Sequence, residues 1–158
     1  MENHISKDEL QTIRSRSLIE NVVKNLKLNI TCVEVGNIKE LERYKNPPVT
    51  LSFFKSDSII HQINHDIFIN VISDTEFIMF KDEKKSLIDR DKKEGKRYSF
   101  GDKIETDFGG FVITPNVGRY APKKDSNLRI SIARVGSVVG RYMRDLELSH
   151  SEGSNVIV

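Results

Sequence analysis

The chain has 158 residues, 37% hydrophobic and 30% charged, with a net charge of +2. That length is enough for one domain with a real core, and so small a net charge gives no reason to expect a nucleic-acid partner. No apolar stretch approaches the roughly 18 to 20 residues of a membrane span, and a single cysteine, Cys32, rules out an internal disulfide.

Met1-Glu2-Asn3-His4 offers neither the positive n-region nor the apolar h-region of a signal peptide. Ser6-Lys7-Asp8-Glu9 fits a capping box, in which an N-cap serine and a glutamate three residues on satisfy each other's backbone donors. The helix it opens is expected to run to about Lys27, roughly 30 Å at 1.5 Å per residue. At about 100° per residue, Ser15, Leu18, Ile19, Val22 and Leu26 share one broad face, the expected buried one. Leu10 and Ile13 fall on the opposite side. Either they are incidental apolar residues on frayed first turns, or they contact a neighbouring subunit or another segment.

Leu28 to Val35 alternates as a strand does, and Ile38 to Tyr44 reads as a short helix or turn stopped by Asn46-Pro47-Pro48. Val49 to Phe54 is a strand. Ile67 to Ile72 and Glu76 to Phe80 flank Ser73-Asp74-Thr75 and make a hairpin. Lys81 to Arg97 carries dense charge of both signs, the pattern of a solvated loop. Tyr98 to Asn116 is the stretch that organises the rest. Gly101-Asp102 separates two short runs, and Asp107-Phe108-Gly109-Gly110 opens a third that Pro115 ends. A Gly-Gly pair inside a strand pattern suggests a bulge, and Phe100, Ile104, Phe108, Phe111 and Ile113 supply core surface.

Asn116 to Asn127 is a polar loop, and Leu128 to Ala133 alternates as a strand with one wet face. Val135 to Arg144 is a weaker helix because Gly136 and Gly140 lower helix stability. Leu146 and Leu148 then resume a strand, Ser149 to Ser154 turns, and Asn155 to Val158 starts another strand. A chain that stops in mid-strand reads as a piece of a longer protein.

Chemistry is sparse. No phosphate-cradling glycine loop is present. His61 and His65 are four apart with Asp66 adjacent, a spacing that would converge on one helical face, but a third metal ligand is not obvious and a strand follows. Cys32 sits inside a strand far from any histidine in sequence, which suits a buried small hydrophobe better than a nucleophile. No carboxylate pair stands out as an acid–base couple. Arg14 and Arg16 suit either solvent or an anionic ligand. The expectation is a chain without catalytic, cofactor-binding or metal residues.

Three segments resemble a known family in order and spacing. They are Glu9 to Asn29, Tyr44-Lys45-Asn46-Pro47-Pro48 leading into Val49 to Phe54, and Phe100 to Asn116. They look like the periplasmic domain of chain-length determinant proteins. These are the Wzz-type polysaccharide co-polymerases, which include the membrane parts of bacterial tyrosine kinases for capsular exopolysaccharide. Gly153 to Val158 also resembles the family's lead into a further strand. The likeness spans nearly the whole chain, and its motifs are structural.

The resemblance implies an α+β domain over residues 1–158 that regulates capsular or exopolysaccharide chain length at the periplasmic face of the inner membrane. It further implies homo-oligomeric rings, contact with the polysaccharide polymerase and export machinery, contact with the polysaccharide itself, and membrane helices on both flanks. The flanking helices, the family's long helical extension and its kinase domain are not in these residues, so no kinase activity carries over. The alternative is a stand-alone ligand-binding domain, for glycans or another anionic partner, using the basic residues of Arg90 to Arg97 and Lys123-Lys124. The expected fold is one α+β domain in which a mixed or mostly antiparallel sheet carries the N-terminal helix and the Val135–Arg144 helix. Leu10 and Ile13 are the candidate oligomer contact.

Overall fold

The computed structural model describes residues 6–36, 41–42, 46–82 and 94–154. In chain order the elements are α1 (Lys7–Asn25), β1 (Ile30–Val35), β2 (Leu41–Glu42), β3 (Val49–Phe53), α2 (Asp57–Ile60), β4 (His65–Val71) and β5 (Glu76–Phe80). There follow β6 (Lys96–Ser99), β7 (Lys103–Thr106), β8 (Gly109–Pro115), a 3-10 turn at Gly118–Tyr120, β9 (Asn127–Ile132) and α3 (Val135–Ser154). The α+β class expected from the sequence is the class observed. The chain forms two compact units, a helical one from the segments up to Asn29 and from Ala133 on, and a β unit spanning Ile30–Ile132.

The helical unit begins with the expected capping box. The Glu9 amide donates to Ser6 Oγ at 3.1 Å, and the Ser6 amide donates to Glu9 Oε2 at 2.9 Å. At the other end Lys27 adopts a φ of +52°. Its amide bonds the Lys24 carbonyl at 3.3 Å, and the Leu28 amide bonds the Val23 carbonyl at 3.0 Å. These two bonds form a Schellman closure, with lysine at the left-handed position that glycine usually fills. The buried face of α1 differs from the expected one. Val23 is fully buried and Ser15 and Ile19 are half-buried, whereas Leu18 and Leu26 are each 66% exposed and Val22 is 42% exposed. The stripe is therefore Ser15, Ile19, Val23, spaced by four, and it is rotated by roughly 45° from the expected stripe at 100° per residue.

Val23 is buried by α3. It clusters with Val135, Val138 and Val139, with Ile19, Leu28, Ala133, Tyr142 and Met143 packed around them. The same spacing explains the second correction. Leu146 and Leu148 do not start a strand, and Ser149 to Ser154 do not turn; α3 continues through them. Val135, Val138, Val139, Tyr142, Met143 and Leu146 repeat at three and four, a helical period that outweighs the local Leu-Glu-Leu alternation. Residues 155–158, expected as a further strand, lie outside the described residues.

Among the described residues, every strand pairing in the β unit is antiparallel. One sheet has six strands in the order β2-β1-β9-β4-β5-β6, and the other has three in the order β3-β8-β7. The expected hairpin is β4–β5, with Val71 opposite Phe77. Leu41–Glu42, in the segment expected as a helix or turn, instead pair with β1 at the sheet edge. Most of the charged stretch Lys81 to Arg97 falls outside the described residues, and its last two residues belong to β6. A single core joins the two sheets. Cys32, Ile67, Ile69, Val71, Phe77, Leu128, Ile130 and Ile132 come from the larger sheet, and Val49, Leu51, Ile104, Phe111 and Ile113 from the smaller. Alternation places these side chains on the facing sides, the layout of a β-sandwich.

Two turns require a glycine, one of them at the crossover between the sheets. Ser99 to Asp102 is a tight turn closed by the Asp102 amide on the Ser99 carbonyl at 3.1 Å, with Gly101 at φ +93° in the third position. A side chain there would be strained. The turn carries the chain from β6 in one sheet to β7 in the other. Gly109, at φ +121°, closes the two-residue Asp107-Phe108 loop opposite Thr106. The expected Gly-Gly bulge is absent from this hairpin, since Thr106 pairs with Gly109 and Glu105 with Gly110 in unbroken register. The positive φ at a hairpin end is what needs a glycine.

Candidate functional site

The β unit carries a cleft of about 620 Å³ where strand ends of the two sheets meet. β4 contributes His65, Asp66 and Ile67, and β5 with its continuation contributes Met79, Phe80 and Lys81. Thr106, Asp107, Phe108 and Phe111 come from the β7–β8 hairpin. The volume lies within the roughly 300–1,000 Å³ of small-molecule sites. Its floor is aromatic. Phe108 lies nearly parallel to the buried Phe111 at 5.9 Å between centroids, and the His65 ring leans on Phe108 at 4.8 Å with a 46° tilt. Phe53 meets Phe111 edge-on at 6.2 Å, anchoring the row to β3. Offset and tilted contacts of this kind hold aromatic rings in fixed places.

The rim is polar. Asp66, Asp107, Lys81 and His65 are exposed, and Thr106 Oγ1 donates to the Gly109 carbonyl at 2.6 Å, which fixes the hairpin and leaves its oxygen as an acceptor. Among the described residues no ion pair or hydrogen bond engages the side chains of Asp66, Asp107 or Lys81. Asp107 and Lys81 therefore border the Phe108 ring and are available to solvent or to a ligand, whereas the Asp66 side chain lies on the other face of β4 from His65.

The histidines singled out from the sequence do not share a helical face. His61 caps the end of α2, whereas His65 and Asp66 are consecutive residues of β4 and so point to opposite sides of the strand. No group of three His, Cys, Asp or Glu side chains suited to a metal ion occurs among the described residues. Cys32 is buried in the sandwich core, where a small hydrophobe belongs. Arg14 and Arg16 are exposed on α1. Within the basic tract Arg97 approaches Glu76 at 3.5 Å and Lys96 lies 5.1 Å above the Tyr98 ring, while Lys123 and Lys124 are exposed on a separate loop. Sequence reasoning noted His65 and Phe108 singly but missed the cleft. His65 and Phe108 are 43 residues apart in sequence, and only the packing of the two sheets on one core brings them together.

The helical unit carries a second surface. Leu10 and Ile13 are 41% and 55% exposed, in keeping with their phase opposite the buried stripe. α1 and α3 are antiparallel. Val23, near the end of α1, meets the first turn of α3, whereas Gln11, Thr12 and Ser15 face Met143, Leu146 and Glu147 across a gap of about 350 Å³. The pair is thus tightly packed at one end and open at the other, and the start of α1 and the end of α3 lie at the open end. Leu146 and Leu148 add apolar surface there, at 49% and 63% exposure. Among the described residues no helix is long and apolar enough to cross a membrane. No protein-family model and no curated protein matches the chain.

Proposed function

We propose that the chain is an assembly module of a Wzz-type polysaccharide co-polymerase, standing on the periplasmic face of the bacterial inner membrane and acting through homo-oligomerisation without catalysis. The observation that carries this reading is the antiparallel α1–α3 pair, which sets the start of α1 and the end of α3 at one end of the pair, as a module held by two flanking membrane helices requires. The exposed Leu10 and Ile13 fit contact with a neighbouring copy. Two such side chains contribute roughly 1.5 to 3 kcal/mol each before ordering costs, too little for a free fragment. Membrane tethering raises the effective concentration and makes the same contact sufficient. The module would work beside the polymerase and export machinery and in reach of the polysaccharide.

The test is made on the membrane-embedded protein. Its flanking sequence should hold an apolar span of about 20 residues on each side. Replacing Leu10 and Ile13 by serine should reduce cross-linked oligomers and change the length distribution of the polysaccharide. Flanks without apolar spans, or an unchanged oligomer in the double variant, would overturn the reading. The cleft at Phe108 favours a second reading, a ligand-binding domain without catalysis.

A further inference from the structure

We infer that α3 is a docked helix with a conditional end. Val135–Met143 is fixed, whereas the turns beyond Leu146 pass between helix and coil and act as a joint. The inference concerns α3 alone and holds whichever of the two readings above is right. A helix in a protein is held mainly by the apolar face it buries. In α3 that face reaches Leu146, but only the residues up to Met143 join the core around Val23. The same spacing of three and four past Leu146 arrives at Ser149, His150 and Gly153, none of them apolar. The facing stretch of α1 is polar too: three and four back from Ser15 are Thr12 and Gln11. The gap of about 350 Å³ between these residues and Met143, Leu146 and Glu147 is therefore written into both helices.

The local sequence does not compensate. Ser149, Ser151, Gly153 and Ser154 are weak helix formers. The last turn holds no basic residue to meet the negative end of the helix, and Glu147 and Glu152 add like charge near it. Leu148, at 63% exposure, gains little from burial. In α1, by contrast, the half at the open end has the Ser6–Glu9 capping box, and the other end has the Lys27 closure and a Lys24–Glu20 ion pair at 2.8 Å. A helical end without burial depends on the propagation constant alone. That constant is near one for good helix formers and lower for serine and glycine, so coil is populated at least about as much as helix. The extended state is not opposed by sequence either, since Leu146-Glu147-Leu148 alternates as a strand does. Opening of this kind is local. It lets the far end of α3 change direction while Val135 to Met143 stay packed on α1.

The test is amide hydrogen exchange and Cα chemical shifts of the isotope-labelled chain. Val138 to Tyr142 should be protected more than about a thousandfold. Leu148 to Ser154 should be protected only about twofold, with Cα shifts about half the full helical value. Thr12→Leu, at an exposed position lining the gap, offers Met143 and Leu146 an apolar partner. It should slow the exchange of Glu147 and Leu148 about tenfold and leave Val138 and Val139 unchanged. Ser151→Ala combined with Gly153→Ala raises helix propensity without touching the gap, and should move the Cα shifts of the last turns toward full helix. The inference is overturned if Leu148 to Ser154 exchange as slowly as Val138 to Tyr142, or if their Cα shifts are those of full helix or of pure coil. It is equally overturned if Glu147 and Leu148 exchange in Thr12→Leu as they do in the parent. Because the readout is confined to α3, such a failure leaves both functional readings standing.

Discussion

The phase of α1 can be tested by substituting Val23 and Leu18, five residues apart on the same helix. Val23 is fully buried, whereas Leu18 is 66% exposed. Val23→Ala removes two methyl groups from the Val135, Val138 and Val139 cluster. At about 0.8 kcal/mol per buried methylene plus a cavity contribution, the expected loss is about 2–3 kcal/mol. Leu18→Ala removes a larger side chain, but most of it already faces water. The small burial lost is offset by alanine's better helix propensity, so the change should lie within about 0.5 kcal/mol. For a chain of this length 1 kcal/mol moves Tm by about 2–4 °C. Val23→Ala should therefore melt about 5–10 °C lower and Leu18→Ala close to the parent, followed by circular dichroism at a helix-sensitive wavelength. Because the helical and β units are distinct, hydrogen exchange of the α1 amides should report the same order locally. A Leu18→Ala loss equal to or greater than that of Val23→Ala would refute this packing and restore the face that the sequence pattern alone suggests.

Other substitutions follow from the backbone. Lys27→Gly should raise stability by about 0.5–1 kcal/mol, since a left-handed non-glycine residue is relieved at some gain in unfolded-state entropy; a lower Tm would mean the cap is not formed. Gly136→Ala and Gly140→Ala, where an added Cβ meets nothing within 4 Å, should each stabilise α3 by about 0.5–1 kcal/mol in thermal melts. Gly95→Ala should do the reverse, by about 1–3 kcal/mol, because its Cβ would collide with Ile78 Cγ2 and lie 2.9 Å from Phe80 Cε1. Cys32 should resist a thiol reagent in the native protein and react fully in denaturant; fast native labelling would take it out of the core.

How much of this was legible beforehand depends on whether the signal was local. The capping box at Ser6 and Glu9, the β4–β5 hairpin around Ser73 to Thr75, and the alternation of β9 each involve residues close in sequence, and each was readable. The buried face of α1 was not. Leu18, Val22 and Leu26 are larger and more apolar than Ser15, so counting hydrophobicity rotates the stripe toward them. The actual contact is set by what α3 presents, and Val135, Val138 and Val139 come from more than 100 residues away and fit closely against Val23. The extent of α3 failed for a related reason. Two glycines and a Leu-Glu-Leu triplet argued locally for an ending, while the three-and-four spacing from Val135 to Leu146 argued over a longer range for continuation.

The cleft shows the same limit in functional terms. Asp107-Phe108 looks like turn chemistry in the sequence, and that is what it is: a two-residue loop with glycine at φ +121° behind it. Its second role arises because Ile67 and Phe111 belong to one core, which brings the start of β4 beside the β7–β8 hairpin and sets His65 against Phe108 at 4.8 Å. The Gly101 turn is the structural cause. By moving the chain from the six-stranded sheet into the three-stranded one, it places the hairpin on the opposite layer of the sandwich, so the loop residues face β4 and β5 across the gap instead of pairing with them in one sheet. The Phe108 ring left at this mouth is half-buried, with one side held by Phe111. The site therefore needs no residue that is unusual by type, and for that reason no motif could reveal it.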